Sequence, residues 1–161
     1  MKRLATALLI LFPLAAPAQE TDVDPPAFVG MAASSNAFEI RSSQMATDKA
    51  TDPALKDFAA RMIADHEKAG ADLKAAAGDI PLPAEPTAEH MAMIGLLENA
   101  RGAEFDNLYK TMQVRAHAEA VGLFQTFAET GSDPDLQAFA AATLPTLEEH
   151  RAHIEEITTG Q

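Results

Sequence analysis

The chain has 161 residues, a formal net charge of −12 and no cysteine. This excludes a disulfide scaffold, a thiolate metal site and a lipid-modified cysteine lipoprotein. The acidity argues against nucleic acid or an anionic membrane surface as partner, because both need a cationic footprint, and the length suits one domain with a real hydrophobic core.

Residues 1–18 have the form of a secretory signal peptide: Met1-Lys2-Arg3 is basic, residues 4–14 are almost wholly apolar, and Ala16-Pro17-Ala18 has the small-x-small pattern of a cleavage site. The apolar run is shorter than the roughly 20 residues a spanning helix needs, and no later segment is both long and uniformly apolar. Cleavage after Ala18 leaves 143 residues and, with Lys2 and Arg3 gone, a formal charge of about −14. Export without cysteine points to a periplasm-like space and a fold held by packing alone. An uncleaved leader acting as an N-terminal anchor is the alternative.

A short polar lead, residues 19–26, precedes a single helical domain over residues 27–158. Five helical segments are expected, over residues 27–50, 53–77, 87–101, 103–129 and 134–157, with a Pro-rich link at 78–86. Gly102 either separates the third and fourth segments or bends one continuous helix. No run alternates with period two and β-branched residues are sparse, so the fold class is all-α. Thr51-Asp52-Pro53 and Ser132-Asp133-Pro134 each place a capping carboxylate before a proline at the first helical position. Each follows a long helix by a very short link, which predicts two antiparallel hairpins and an up-down four-helix bundle, with the third segment additional. Pro145 removes the bond to the Ala141 carbonyl and is expected to bend or break the last helix.

Helical periodicity places Phe28, Met31, Phe38 and Met45 of the first segment on the core face, and Leu55, Phe58, Met62 and Leu73 of the second. Met91, Ile94, Leu96 and Leu97 form the packing face of the third. His66, His117 and His150 fall in register with apolar residues of their own segments. Glu39 is 13 residues before Asp52 and His66 is 14 after it; His117 is 16 before Asp133 and His150 is 17 after it. At about 1.5 Å of rise per residue the four reach similar heights, so Glu39, His66, His117 and His150 are candidate metal ligands. Asp106 shares a stripe with Gln113 and His117 and is a supporting residue. Imidazole and carboxylate without thiolate suit a first-row transition metal ion.

Several readings of the cluster stay open. It binds a metal ion or stabilises the core in an envelope or stress role; it is a hydrogen-bonded set of core histidines in a non-catalytic structural or interaction module; or it belongs to a metal-dependent oxidoreductase. No catalytic residue can be named. A ferritin di-iron site requires Glu-x-x-His on two helices, and the chain contains no Glu-x-x-His. His90-Met91-Ala92-Met93 offers soft ligands to Cu(I), although methionines at such positions also fill cores.

The run from Phe28-Val29 through Ala33-Ser34-Ser35-Asn36-Ala37-Phe38-Glu39-Ile40 to Lys49-Ala50-Thr51-Asp52-Pro53, and Arg61-Met62-Ile63-Ala64-Asp65-His66 after it, resembles family 4142 of domains of unknown function. Phe105-Asp106 with Tyr109, Gln113-Val114 with His117, and Thr143-Leu144-Pro145 with Leu147 and His150 extend the resemblance over the whole mature chain. The resemblance implies a ferritin-like helical bundle in exported bacterial proteins of no settled activity. Its pattern falls on Glu39, His66, Asp106, His117 and His150, and makes Pro145 part of the fold.

Overall fold

In the computed structural model, residues 23–160 are described; the expected leader and its cleavage site lie outside them. Five helices follow in order: α1 (Pro25–Lys49), α2 (Pro53–Ala76), α3 (Ala88–Asn99), α4 (Gly102–Thr130) and α5 (Pro134–Thr159). α1 with α2 and α4 with α5 form two antiparallel hairpins, α2 against α5 and α1 against α4 close the bundle, and α3 packs mainly on α1. The architecture is an all-α four-helix bundle with one additional helix.

The helix starts follow from local chemistry. Asp24, Asp52 and Asp133 each accept a first-turn backbone N–H, and a proline follows each within the first turn. α1 begins at Pro25, two residues inside the expected polar lead, because Asp24 is itself a cap. Gly102 has φ +56° and follows extended Ala100 and Arg101, so α3 and α4 are separate helices rather than one bent rod. Lys49 fixes α3 by donating to the carbonyls of Leu97 and Glu98 at its C-terminal end (2.6 and 2.7 Å). α5 runs unbroken through Pro145, which is exposed along with Ala141, so the carbonyl freed by the proline faces water.

The buried apolar residues fall into two clusters. One gathers Phe38, Leu55, Phe58, Met62, Phe105, Tyr109 and Ile154; the other gathers Phe28, Leu73, Val121, Phe124, Phe127, Phe139 and Leu147. On every helix of the bundle the change from one cluster to the other occurs at a polar residue: near Asn36 on α1, and at His66, His117 and His150 on α2, α4 and α5. The apolar stripes hold on α2, whereas Met31 is exposed on α1, and α1 instead buries Ser34, Ser42 and Ser43. Ile94 and Leu97 are the packing face of α3, while Met91 and Leu96 face out.

Candidate metal centre

His66, His117 and His150 converge in the polar layer from α2, α4 and α5, with their rings 5.6 to 6.0 Å apart between centroids. One ring nitrogen from each lies within 4.8 Å of one from each of the others. All three residues are at most 5% exposed. The Phe58 ring stands edge-on to His117 and His150, at 6.4 Å from each, and closes the side toward the first apolar cluster.

The outer nitrogen of each ring is committed to an oxygen that can only accept. His66 Nδ1–H donates to Asn36 Oδ1 at 3.0 Å, His117 Nδ1–H to the Gln113 carbonyl at 2.9 Å, and His150 Nε2–H to Asp65 Oδ2 at 2.8 Å. These bonds fix the neutral tautomer of each ring and leave a lone pair on its other nitrogen. The nitrogens so exposed, His66 Nε2, His117 Nε2 and His150 Nδ1, are buried and have no hydrogen-bond partner. Leaving a buried acceptor unpaired costs about 1 to 3 kcal/mol, so the three together are a substantial cost to the fold.

Burial keeps the rings neutral. It pushes the His117 imidazole down to about 4, against the upward pull of the Gln113 carbonyl. His66 is held well below its ordinary value by burial first and by its two histidine neighbours second. His150 is lowered by burial, with Asp65 opposing. Asp65 in turn receives Arg61 at 3.3 Å, and Arg61 also pairs with Glu149 at 2.9 Å, tying the His150 support to the bundle surface.

Glu39 and Asp106 take other places. Glu39 is 2% exposed and reaches the edge of the layer, where its Oε1 is 3.9 Å from His117 Nδ1, on the side of that ring already bonded to Gln113. Gln113 Nε2 donates to Glu39 Oε2 at 2.6 Å and to Ser42 Oγ at 3.1 Å. Burial pushes the Glu39 carboxyl up to about 8, with the Gln113 bond opposing. Asp106 lies 11 residues before His117, about 16 Å along α4. Its carboxylate accepts the Thr51 backbone N–H at 3.0 Å and the Thr51 hydroxyl, and so pins the turn between α1 and α2.

The His90-Met91-Ala92-Met93 segment is divided among three neighbourhoods. His90 Nδ1 pairs with Ser34 Oγ at 2.7 Å and its ring stacks on Phe38, Met91 Sδ accepts from Arg41, and Met93 packs against the first apolar cluster. Asp65 is the supporting residue that sequence reasoning missed, whereas Asn36 bonds across to another helix, as its place among Ser34, Ser35 and Asn36 suggests. Asp65 had a signal in its position: it precedes His66, and a one-residue step turns about 100° around a helix, toward the neighbouring α5 and His150.

The fold and this centre define a class: a helical-bundle protein with a buried three-histidine cluster, each ring oriented by its own oxygen acceptor. The chain belongs to the family described as a domain of unknown function (DUF4142), whose model matches residues 12–157. No curated protein sequence matches it. Among solved structures, CopM in the Cu(II)-bound form is similar in fold, with a TM-score of 0.72 at 18% sequence identity, over 87% of this chain and 99% of that one.

Proposed function

We propose that this protein binds a transition metal ion through His66, His117 and His150, and that copper(II) is its first candidate. The observation that carries the reading is the set of three buried, neutral imidazole nitrogens without partners, on rings whose other nitrogens are already bonded. Three imidazoles suit copper, zinc and other first-row ions, and affinity at a nitrogen site is highest for copper(II) among the divalent ones. The likeness to CopM in its Cu(II)-bound form adds support for copper.

The residues divide the work. The histidines supply lone pairs; Asn36, the Gln113 carbonyl and Asp65 orient them; Phe58 excludes water on one side. Two ligands about 2.1 Å from one ion span at most about 4.2 Å, close to the 4.8 Å within which one nitrogen of each ring lies of the others. Glu39 is the neighbouring carboxyl rather than a ligand, and Asp106 serves the α1–α2 turn. The leader expected at residues 1–18 supports export, which gives the protein a metal-holding role in the cell envelope.

Metal-stripped protein dialysed against Cu(II) is expected to take up one ion per chain and to give an electron paramagnetic resonance signal with nitrogen ligands. His66→Ala and His117→Ala should abolish this uptake while the far-ultraviolet dichroism stays helical. Folded protein that takes up neither Cu(II) nor Zn(II) in stoichiometric amount, or uptake indifferent to both substitutions, would overturn the proposal.

A further inference from the structure

We propose that the groove between α2 and α5 is the route by which a hydrated divalent cation reaches the three-histidine centre, an inference that rests on the metal-binding reading above. The ligands are closed off from water, so an ion must cross a wall. Beside them is a narrow, partly open pocket of about 20 Å³, room for one water molecule, lined by His66 and Asn36 among others. Three residues of its lining, Ala69, Phe139 and Thr143, also line the α2–α5 groove, which has a volume of about 640 Å³. The barrier between groove and pocket is therefore a single layer of side chains, and Ala69 and Thr143 are its small members.

The groove touches the centre a second time. Asp65 lines it and is also the acceptor that orients His150. Asp72 and Asp135 line the same groove with Lys68, which pairs with Asp72 at 2.6 Å, so three carboxylates stand there against one ammonium. The excess of negative charge attracts a cation, and one of the groove's carboxylates is the one already bonded to the His150 ring.

The pocket has another thin wall. Ser35 and Ala120 are shared with a cavity of about 240 Å³ among α1, α3 and α4. There both carboxylates, Glu89 and Glu119, are held by Arg115 at 2.6 and 2.7 Å. No residue lining that cavity bonds one of the three histidines. Connectivity favours the α2–α5 side, where Asp65 bonds a ring of the centre.

The test is the rate of Cu(II) loading into metal-free protein, followed by stopped-flow absorbance, with release measured by transfer to a chelator. Thr143→Leu thickens the wall and is expected to slow loading and release together, by about tenfold or more, with the affinity unchanged. Asp72→Asn with Asp135→Asn should slow loading several-fold at low ionic strength, leave release unchanged, and lose its effect in about 0.5 M salt. Glu89→Gln with Glu119→Gln, in the cavity on the other side, should alter neither rate. If Thr143→Leu does not fold, the Asp72 and Asp135 variant decides alone, since both its positions are exposed. Loading at the histidines at rates indifferent to the groove substitutions, or slowed by the Glu89 and Glu119 substitutions instead, overturns the route and leaves the centre standing. Wild-type protein that takes up no Cu(II) at the histidines overturns both.

Discussion

Each histidine of the centre gives one nitrogen to an oxygen and turns the other inward. The outer bonds should therefore govern affinity. Oxygen partners of ligand histidines typically contribute 10- to 100-fold in metal binding, so Asp65→Ala is expected to weaken Cu(II) binding by about that factor in chelator competition. Protonation gives a second expectation. Unfolded imidazoles take up protons below about 6.5 that the folded ones refuse, His117 until about 4, so stability falls as pH drops below 6.5. Glu39 acts oppositely: it ionises near 4.5 when unfolded but about 8 when folded, so its contribution falls as pH rises through that interval. Below 6.5 three histidines outweigh one carboxyl; from 6.5 to 8 the carboxyl acts alone. Metal-free protein should be most stable near pH 6.5, and Glu39→Gln should remove an alkaline decline of about 2 kcal/mol in denaturant titrations at pH 6.5 and 8. Counting from the Asp-Pro caps reached the level of His66, His117 and His150 because height follows from residue number. It could not fix rotation about the helix axis, which is why Glu39 turns to Gln113 and why Asp65 went unseen.

Helices were legible where caps, proline and period agree, as on α2 and α5, and less so where polar residues are buried. α1 hides Ser34, Ser42 and Ser43 because partners exist on other elements, such as the Tyr109 hydroxyl 2.8 Å from Ser43 Oγ, and periodicity in one helix does not reveal a partner in another. Asp106 is a buried carboxylate that anchors the start of a helix, through Thr51 in the α1–α2 turn. Asp106→Ala should cost about 1 to 3 kcal/mol of stability by leaving the Thr51 N–H unpaired, while Cu(II) affinity stays near that of the wild type. Gly70 should show the reverse. A Cβ there would come within 2.8 Å of Asn36 Nδ2, at the free end of a side chain that can move. Gly70→Ala in a helix interior ordinarily gains up to about 1 kcal/mol. Here it should displace the amide that holds His66, giving an unchanged or raised melting temperature with several-fold weaker metal binding. Equal loss in both quantities would show that Gly70 matters only for packing.

The whole molecule carries an apolar core cut in two by a polar layer at the level of the histidines. A bundle selected for stability alone would have filled that layer with leucine, so replacing all three histidines by leucine should stabilise the metal-free protein while abolishing Cu(II) uptake. The three histidines also lie far apart along the chain, with 51 residues from His66 to His117 and 33 more to His150. An ion held by all three would join α2, α4 and α5 as a covalent cross-link would, closing two long loops in a chain that has no cysteine to close them otherwise. Its effect should appear in the time the protein survives. Since the first steps of unfolding must pull ligands away from the ion, copper-loaded protein should unfold in denaturant at least tenfold more slowly than the metal-free form, and His150→Ala should remove that difference.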